Sequence, residues 1–290
     1  MSSLQIVIVG IGMIGGSLGL ALKEAWGEEV RVTGVDNDQA ALATALSTGA
    51  IDAALSLLDE KIAAADVVFL CTPVLQMTGL VKKMAPFLKA GTILTDVGST
   101  KKRLNEQIVA MLPAYIEYIG GHPMAGREKS GITAADKNLF RNKGYILIRE
   151  QNTSIRALER VRQLIQKTGA IIYLMNADEH DHCAAVISHV PHVAAAALVN
   201  LLHCYPEPDT ISKLAGGGFQ DTTRIASSNA DMWADICLTN GAAIIDGLEK
   251  MQLIVNQVIE DIRQQKRPAL HNYFCLAKQR RDELLKKAQL

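Results

Sequence analysis

The chemistry of this chain starts at a histidine held between glycines and a proline. His122 lies in Gly120-Gly121-His122-Pro123-Met124-Ala125-Gly126, where small neighbours give an imidazole little to pack against. Its ordinary pKa near ~6.5 suits proton transfer at neutral pH; a structural, hydrogen-bonded histidine is the other use of such a residue. A second chemistry is written in Gly10-Ile11-Gly12-Met13-Ile14-Gly15, directly after the apolar run Ile6-Val7-Ile8-Val9. Gly10 permits a tight turn, Gly12 lets a pyrophosphate approach the backbone, and Gly15 lets the following helix lie close to the strand. Met13 and Ile14 begin that helix, whose free amides face the phosphates. Asp36 follows the next apolar run, where an acid can bind ribose hydroxyls and repel a 2′-phosphate, so NAD is expected rather than NADP. The alternative for Asp36 is a helix cap beside Asn37 and Asp38.

Two further loops leave the ends of apolar runs: Cys71-Thr72-Pro73-Val74 and Asp96-Val97-Gly98-Ser99-Thr100-Lys101. Ligands of open α/β sheets bind at such ends, so Thr72 and Pro73 are expected against the cofactor. Ser99 or Thr100 could equally be a plain N-cap for the helix running to Met111. Farther on stand Asp178-Glu179-His180-Asp181-His182 and Ser188-His189-Val190-Pro191-His192. Asp178, His182 and His189 share one helical face and raise the question of a metal, but no metal is expected, because His180 and His182 point in different directions on a helix. Pro191 should kink the helix past His189. In Gly216-Gly217-Gly218-Phe219-Gln220-Asp221-Thr222-Thr223-Arg224 the triple glycine suggests a mobile or closely approached loop. Arg224 is a candidate for a substrate carboxylate.

The elements that must position these groups form an α/β pattern followed by helices. Apolar runs at 6–9, 30–35, 66–71 and 92–97, separated by helical stretches, predict a parallel sheet covered on both faces: a Rossmann-like, doubly wound fold. Runs at 115–119, 145–148 and 171–174 are expected to extend that sheet. From Ala177 the pattern is helical, which places a nucleotide-binding domain at 1–174 and an all-helical substrate-binding and dimerisation domain at 175–290. Ala234, Cys237, Gly241, Ile244, Leu248, Met251, Val255, Val258 and Ile262 alternate by three and four. They predict one long heptad helix, stopped by Pro268, which is either buried in its own domain or shared between two subunits; the second is expected, because one small helical domain can hardly cover so long a seam.

Thirty basic and thirty acidic side chains cancel, so no global field would draw nucleic acid or an anionic membrane. The first residues lack a basic n-region and a long apolar run, so neither a signal peptide nor a span is expected. Five scattered cysteines without a Cys-x-x-Cys suit reduced thiols in the cytoplasm. The last amphipathic helix runs to Leu290, so no appended domain is expected.

Taken in order, these motifs resemble the prephenate/arogenate dehydrogenase family over nearly the whole chain. The likeness rests on Gly10 to Gly15, Asp96 to Lys101, Gly121 to Gly126 with Glu128, Ser188 to His192, and Phe219 to Ser228 with Trp233 beyond. It implies NAD-dependent oxidative decarboxylation of prephenate to 4-hydroxyphenylpyruvate, in tyrosine biosynthesis. Arogenate, giving tyrosine directly, is the alternative substrate. In this likeness His122 takes the proton of the ring hydroxyl, while Ser99 orients that histidine and the nicotinamide. Arg224 pairs with a substrate carboxylate, His189 lies near the substrate, and the helical domains form an intertwined homodimer. Gln220 departs from the arginine expected there. A β-hydroxyacid dehydrogenase would share the layout but needs a catalytic lysine in its second domain. A cofactor-sensing module would explain Gly10 to Asp36 but not His122 with Arg224.

Overall fold

The computed structural model describes residues 3–126 and 129–288. By packing, the chain divides into two compact units, Met1–Gly241 and Ala242–Leu290.

The first unit is built on a six-stranded sheet of β1 (Leu4–Val9), β2 (Val30–Val35), β3 (Ala53–Leu55), β4 (Val67–Leu70), β5 (Ile93–Asp96) and β6 (Glu117–Ile119). Its order is β3-β2-β1-β4-β5-β6 and every pairing is parallel. The run Ile6-Val7-Ile8-Val9 is apolar throughout because both faces of β1 are covered. Ile6 and Ile8 pack with Leu18 and Leu22 of α1 (Met13–Trp26), whereas Val7 and Val9 pack with Met77 and Val81 of α3 (Val74–Met84). The chain winds outward from β1 through α2 (Gln39–Ser47) to β3, then returns to β4 beside β1 and winds the other way. The crevice at this reversal lies between the loops that leave β1 and β4. Those loops are Gly10–Gly12 and Cys71–Pro73.

The runs at 145–148 and 171–174 do form strands, but they do not extend that sheet. With β7 (Gly121–Pro123), β8 (Gly144–Ile148) and β9 (Ile171–Met175) make a separate three-stranded sheet of order β7-β8-β9. The break comes at Gly120-Gly121. A Cβ at Gly121 would lie 2.6 Å from the carbonyl oxygen of Asp96, so only glycine lets the chain pass there and pair with β8. Behind this sheet lies α5 (Ile155–Gln166), capped by Ser154, whose hydroxyl accepts from the Ala157 amide at 3.3 Å. Its face of Ala157, Leu158, Val161, Leu164 and Ile165 is buried.

The helical part of this unit begins with α6 (Ala177–Ala184), a π-helical turn (Ala185–His189) and α7 (Val190–Leu201). The disturbance expected from Pro191 is displaced. Pro191 sits harmlessly in the first turn of α7, and the irregularity is the π turn before it, where one extra residue widens the helix. By length and composition, Ala177–Cys204 could cross a membrane. However, His180, Asp181 and His189 on it are buried in polar contacts within this unit. After α8 (Pro208–Lys213), the triple glycine opens α9 (Gly217–Thr223) and is a helix start rather than a loop. Nothing lies within 4 Å of a Cβ built on Gly216, Gly217 or Gly218.

The heptad run is two helices, α10 (Ala230–Thr239) and α11 (Gly241–Arg263), parted at Asn240. The Asn240 side chain donates to the Asp181 carbonyl and to His189, so this residue leaves the helical path to hold a polar junction. In the second unit, α11 ends at Arg263, and Gln265 at φ 52° turns the chain into α12 (Arg267–Ala288). Pro268 falls in the first turn of α12, where a missing amide costs nothing. Leu253, Ile254, Val255 and Ile262 of α11 stand exposed in the single chain.

Candidate active site

The loop after β1 fits a dinucleotide. Gly10 has φ +96°, and a Cβ there would meet the Cys71 carbonyl at 2.7 Å. A Cβ on Gly15 would come within 2.0 Å of the Gly10 carbonyl oxygen, so α1 can lie this close only with glycine. At Gly12 none of the described residues lies within 4 Å, which leaves the backbone open to a ligand. Gly12 is the N-cap of α1 and supplies no side-chain hydrogen bond, and no acid stands in the first turn. The first amides of the helix, at Met13 and Ile14, are thus available to phosphate oxygens. Across the crevice the Thr72 hydroxyl is buried without a partner. A buried polar atom left unpaired is costly, and a ligand in this crevice would satisfy it. Pro73 is the exposed N-cap of α3.

Asp36 follows β2 and is not a helix cap; Asp38 caps α2, accepting from the Ala40 and Ala41 amides. One Asp36 carboxylate oxygen accepts from the Ile11 amide at 2.6 Å and the other from the Asp38 amide at 2.9 Å. Each oxygen keeps a second lone pair for a ribose hydroxyl. Asp36 thereby ties the glycine loop to the position where it can read the ribose. Replacing Asp36 by serine and Asn37 by arginine should shift the NADP/NAD ratio of kcat/KM by roughly 10–100-fold, the worth of a charge-assisted hydrogen bond. Steady-state kinetics with both cofactors measures this, and an unchanged ratio refutes the role.

His122 lies in β7, a short strand rather than a loop, just past the carboxyl end of β6. Its Nδ1 is 2.8 Å from Nε2 of His180 in α6, and His180 Nδ1 is 2.7 Å from an Asp181 carboxylate oxygen. That carboxylate also accepts the Lys101 and Lys102 amides at 2.7 and 2.9 Å. It satisfies the start of α4 (Lys102–Met111) from another helix, so neither Ser99 nor Thr100 is the N-cap. Burial, foremost, pushes the His122 pKa well below 6.5, and electrostatic repulsion from the His180, Lys101 and His189 side chains adds to this. At neutral pH His122 is therefore uncharged and able to accept a proton.

Beneath this chain lies a fully buried ion pair of Lys101 with Asp96. Asp96 also accepts from Tyr118 at 2.8 Å, the Gly98 amide at 2.8 Å and the Gly121 amide at 3.1 Å. Lys101 Nζ donates to the Gly121 carbonyl at 2.8 Å. Both backbone polar groups of Gly121 are thus bound by the pair, which fixes the strand carrying His122.

His189, on the π turn, is buried and accepts from Asn240 through Nδ1 at 3.2 Å. Burial, chiefly, lowers its pKa to about 4. Its ring meets Trp233 edge-on, with centroids 5.9 Å apart, and His192 stacks on the same indole at 3.8 Å.

Ser99 is half-buried three residues past β5, and among the described residues no hydrogen bond joins it to His122. Arg224 is exposed at the end of α9. Gln220 donates to the Ala215 carbonyl at 3.1 Å, and Glu128 lies outside the described residues. His182 is exposed while His189 is buried, and among the described residues no group of three His, Cys, Asp or Glu could hold a metal.

The sequence pattern alone did not single out His180, Asp181 or Asn240. One signal was available: Ala177, His180, Asp181 and Ala184 are spaced by three, one and three, and all four are buried on one face of α6. Two polar residues on an otherwise apolar stripe must find partners inside.

A family model described as prephenate dehydrogenase, nucleotide-binding domain, matches residues 18–174, and one described as prephenate dehydrogenase, dimerization domain, matches 176–276. The prephenate dehydrogenase of Bacillus subtilis is 37% identical over 284 residues, 96% of this chain and 76% of that protein. The crystal structure of the Aquifex aeolicus prephenate dehydrogenase, in complex with hydroxyphenyl propionate and NAD+, superposes with a TM-score of 0.92. It is 32% identical in sequence and covers 98% of this chain and 99% of its own. Synechocystis arogenate dehydrogenase has a TM-score of 0.83 and 30% identity, covering 97% of this chain and 100% of its own. With a glycine cradle after β1, a buried neutral histidine past β6 and both family models matched in sequence, this chain belongs to the prephenate dehydrogenase family.

Proposed function

We propose that this chain is an NAD-dependent prephenate dehydrogenase, producing 4-hydroxyphenylpyruvate for tyrosine biosynthesis. The observation that carries the reading is His122. It is a buried histidine kept neutral, at the edge of the sheet where the β1 and β4 loops open.

NAD, when bound, accepts the hydride from the ring carbon that bears the hydroxyl. Gly12, Met13 and Ile14 would hold the cofactor through backbone amides, Gly10 and Gly15 would shape the turn that admits it, Asp36 would bind the ribose, and Thr72 and Pro73 would line the crevice, the Thr72 hydroxyl finding its partner there. His122 takes the proton of the ring hydroxyl, the ring loses carbon dioxide, and aromatisation drives the step. The protein's part is therefore placement and removal of one proton. Ser99 and His189 border the substrate. Arg224 supplies local positive charge for a substrate carboxylate, which the zero net charge of the chain does not provide globally. The functional division is a cofactor-binding part at 1–174 and a substrate-binding and dimerising part at 175–290, in the cytoplasm. NADH formation with prephenate, arogenate and a panel of 3-hydroxyacids tests the assignment. Turnover of prephenate above the others is expected, and turnover of 3-hydroxyacids alone would overturn it.

The chain works as a homodimer in this reading, with the exposed apolar face of α11 inside the interface. Ile254, 52% exposed, costs the single chain little if replaced by glutamate. In a shared core the same charge costs several kcal/mol. Light scattering should show a dimer for the wild type and a folded monomer for Ile254→Glu; a monomeric wild type ends the proposal.

A further inference from the structure

We infer that His180 and Asp181 are positioning residues that fix His122 as its Nδ1–H tautomer and leave the Nε2 lone pair as the base. This rests on the reading of His122 as the proton acceptor and extends it to residues no sequence motif assigned.

The argument follows the donors along the chain. The Asp181 carboxylate can only accept, and it already receives the Lys101 and Lys102 amides. The hydrogen between Asp181 and His180, at 2.7 Å, must therefore sit on His180 Nδ1. Burial disfavours a charged His180, outweighing the pull of Asp181, so its Nε2 is unprotonated and can only accept. The 2.8 Å contact with His122 is then made by a hydrogen on His122 Nδ1. A neutral imidazole carries one N–H, so His122 Nε2 is left with a lone pair. With His180 neutral, no other pattern of protons satisfies these links.

The charged groups around the pair do not alter this order. Lys101 and Asp96 neutralise one another beneath it, and His189 is held neutral. When the ring hydroxyl gives up its proton, the O–H bond breaks and an N–H bond forms at His122 Nε2. The new positive charge faces His180 Nε2 through the Nδ1–H, and the Asp181 carboxylate lies one ring farther on. An adjacent carboxylate that orients a histidine in this way is worth orders of magnitude in rate.

Long-range proton–nitrogen NMR on the unliganded, histidine-labelled enzyme reads the tautomer without turnover, and His122→Asn assigns the signal. We expect hydrogen on Nδ1 of both His122 and His180 in the wild type; hydrogen on His122 Nε2 overturns the inference. In Asp181→Asn the side-chain amide can donate to His180 Nδ1, which reverses every hydrogen down to His122. The variant should lose roughly 10²–10⁴ in kcat at neutral pH with KM little changed, and its His122 should carry hydrogen on Nε2. Added to His122→Asn, the same change should cost nothing further. His180→Phe, which breaks the chain without reversing it, should lose about 10-fold, the worth of one hydrogen bond. If His122→Asn stays active, the base assignment itself is wrong. If His122→Asn is inactive while Asp181→Asn keeps full kcat and the wild-type tautomer, the base stands and the positioning role falls.

Discussion

His122→Asn should lower kcat by roughly 10²–10⁴, the share of a positioned general base, with little change in KM. Asparagine keeps the size and polarity of the side chain and can still donate to His180, so the strand should keep its place. It cannot take a proton near neutral pH. The pH profile sharpens the expectation. Burial and electrostatic repulsion from the neighbouring side chains hold the His122 pKa well below 6.5, so the active, neutral form persists down to that depressed value. Activity should therefore fall only as pH drops through a point well under 6.5, and this acid limb should vanish in the variant. The same shift acts on folding. Between the depressed pKa and 6.5 the unfolded chain binds more protons than the folded one, so stability falls as pH falls through that window. A variant with near-normal kcat, or one that keeps the acid limb, would show that another group is the base.

Lys101→Met should destabilise the protein by about 3–5 kcal/mol, the cost of leaving a buried charge without its partner. Lys101 and Asp96 are both fully buried, so water cannot replace the missing ammonium. Asp96 would keep the Tyr118 hydroxyl and the Gly98 and Gly121 amides, but no countercharge. Methionine fills most of the space of the lysine stem, which confines the loss largely to electrostatics. Denaturant unfolding measures the change. A loss below about 1 kcal/mol, the range of exposed pairs, would mean that the pair is solvated or that Asp96 is protonated. Because Lys101 also binds the Gly121 carbonyl, kcat should fall even where the variant remains folded.

The parallel sheet was legible because its central strands are short runs rich in β-branched and apolar residues, next to a glycine or polar turn. Val30–Val35 matched the expected bounds residue for residue. The second sheet was not legible, because an apolar run such as Tyr145–Ile148 states that a strand is buried and not which neighbours it pairs with. That choice is made at Gly121, by a close approach to Asp96 that pattern cannot see. The seam from Ala234 to Ile262 failed as one helix for a similar reason. Its three-and-four spacing continues through Asn240, but Asn240 gives its amide to Asp181 and His189, and the helix breaks. In the candidate site, His122 stood out through the small residues around it. His180 and Asp181 did not, since Asp178-Glu179-His180-Asp181-His182 has the composition of a solvated helix start. Asn176 and Glu179 do form such a start, a reciprocal cap on α6; His180 and Asp181 use the opposite face of the same turn.

The π turn sets the phase of everything beyond it. An α-helix advances about 100° per residue, so the extra residue within Ala185–His189 offsets α7 by that angle from the line of α6. His180 and Asp181 precede the offset, whereas His189 stands at its end and His192 beyond it. One continuous segment thus aims two histidine sets in different directions, towards the β7 strand and towards the Trp233 indole. A chain shorter by a single residue here would keep every side chain of the site but turn the later set by about 100° relative to the earlier one.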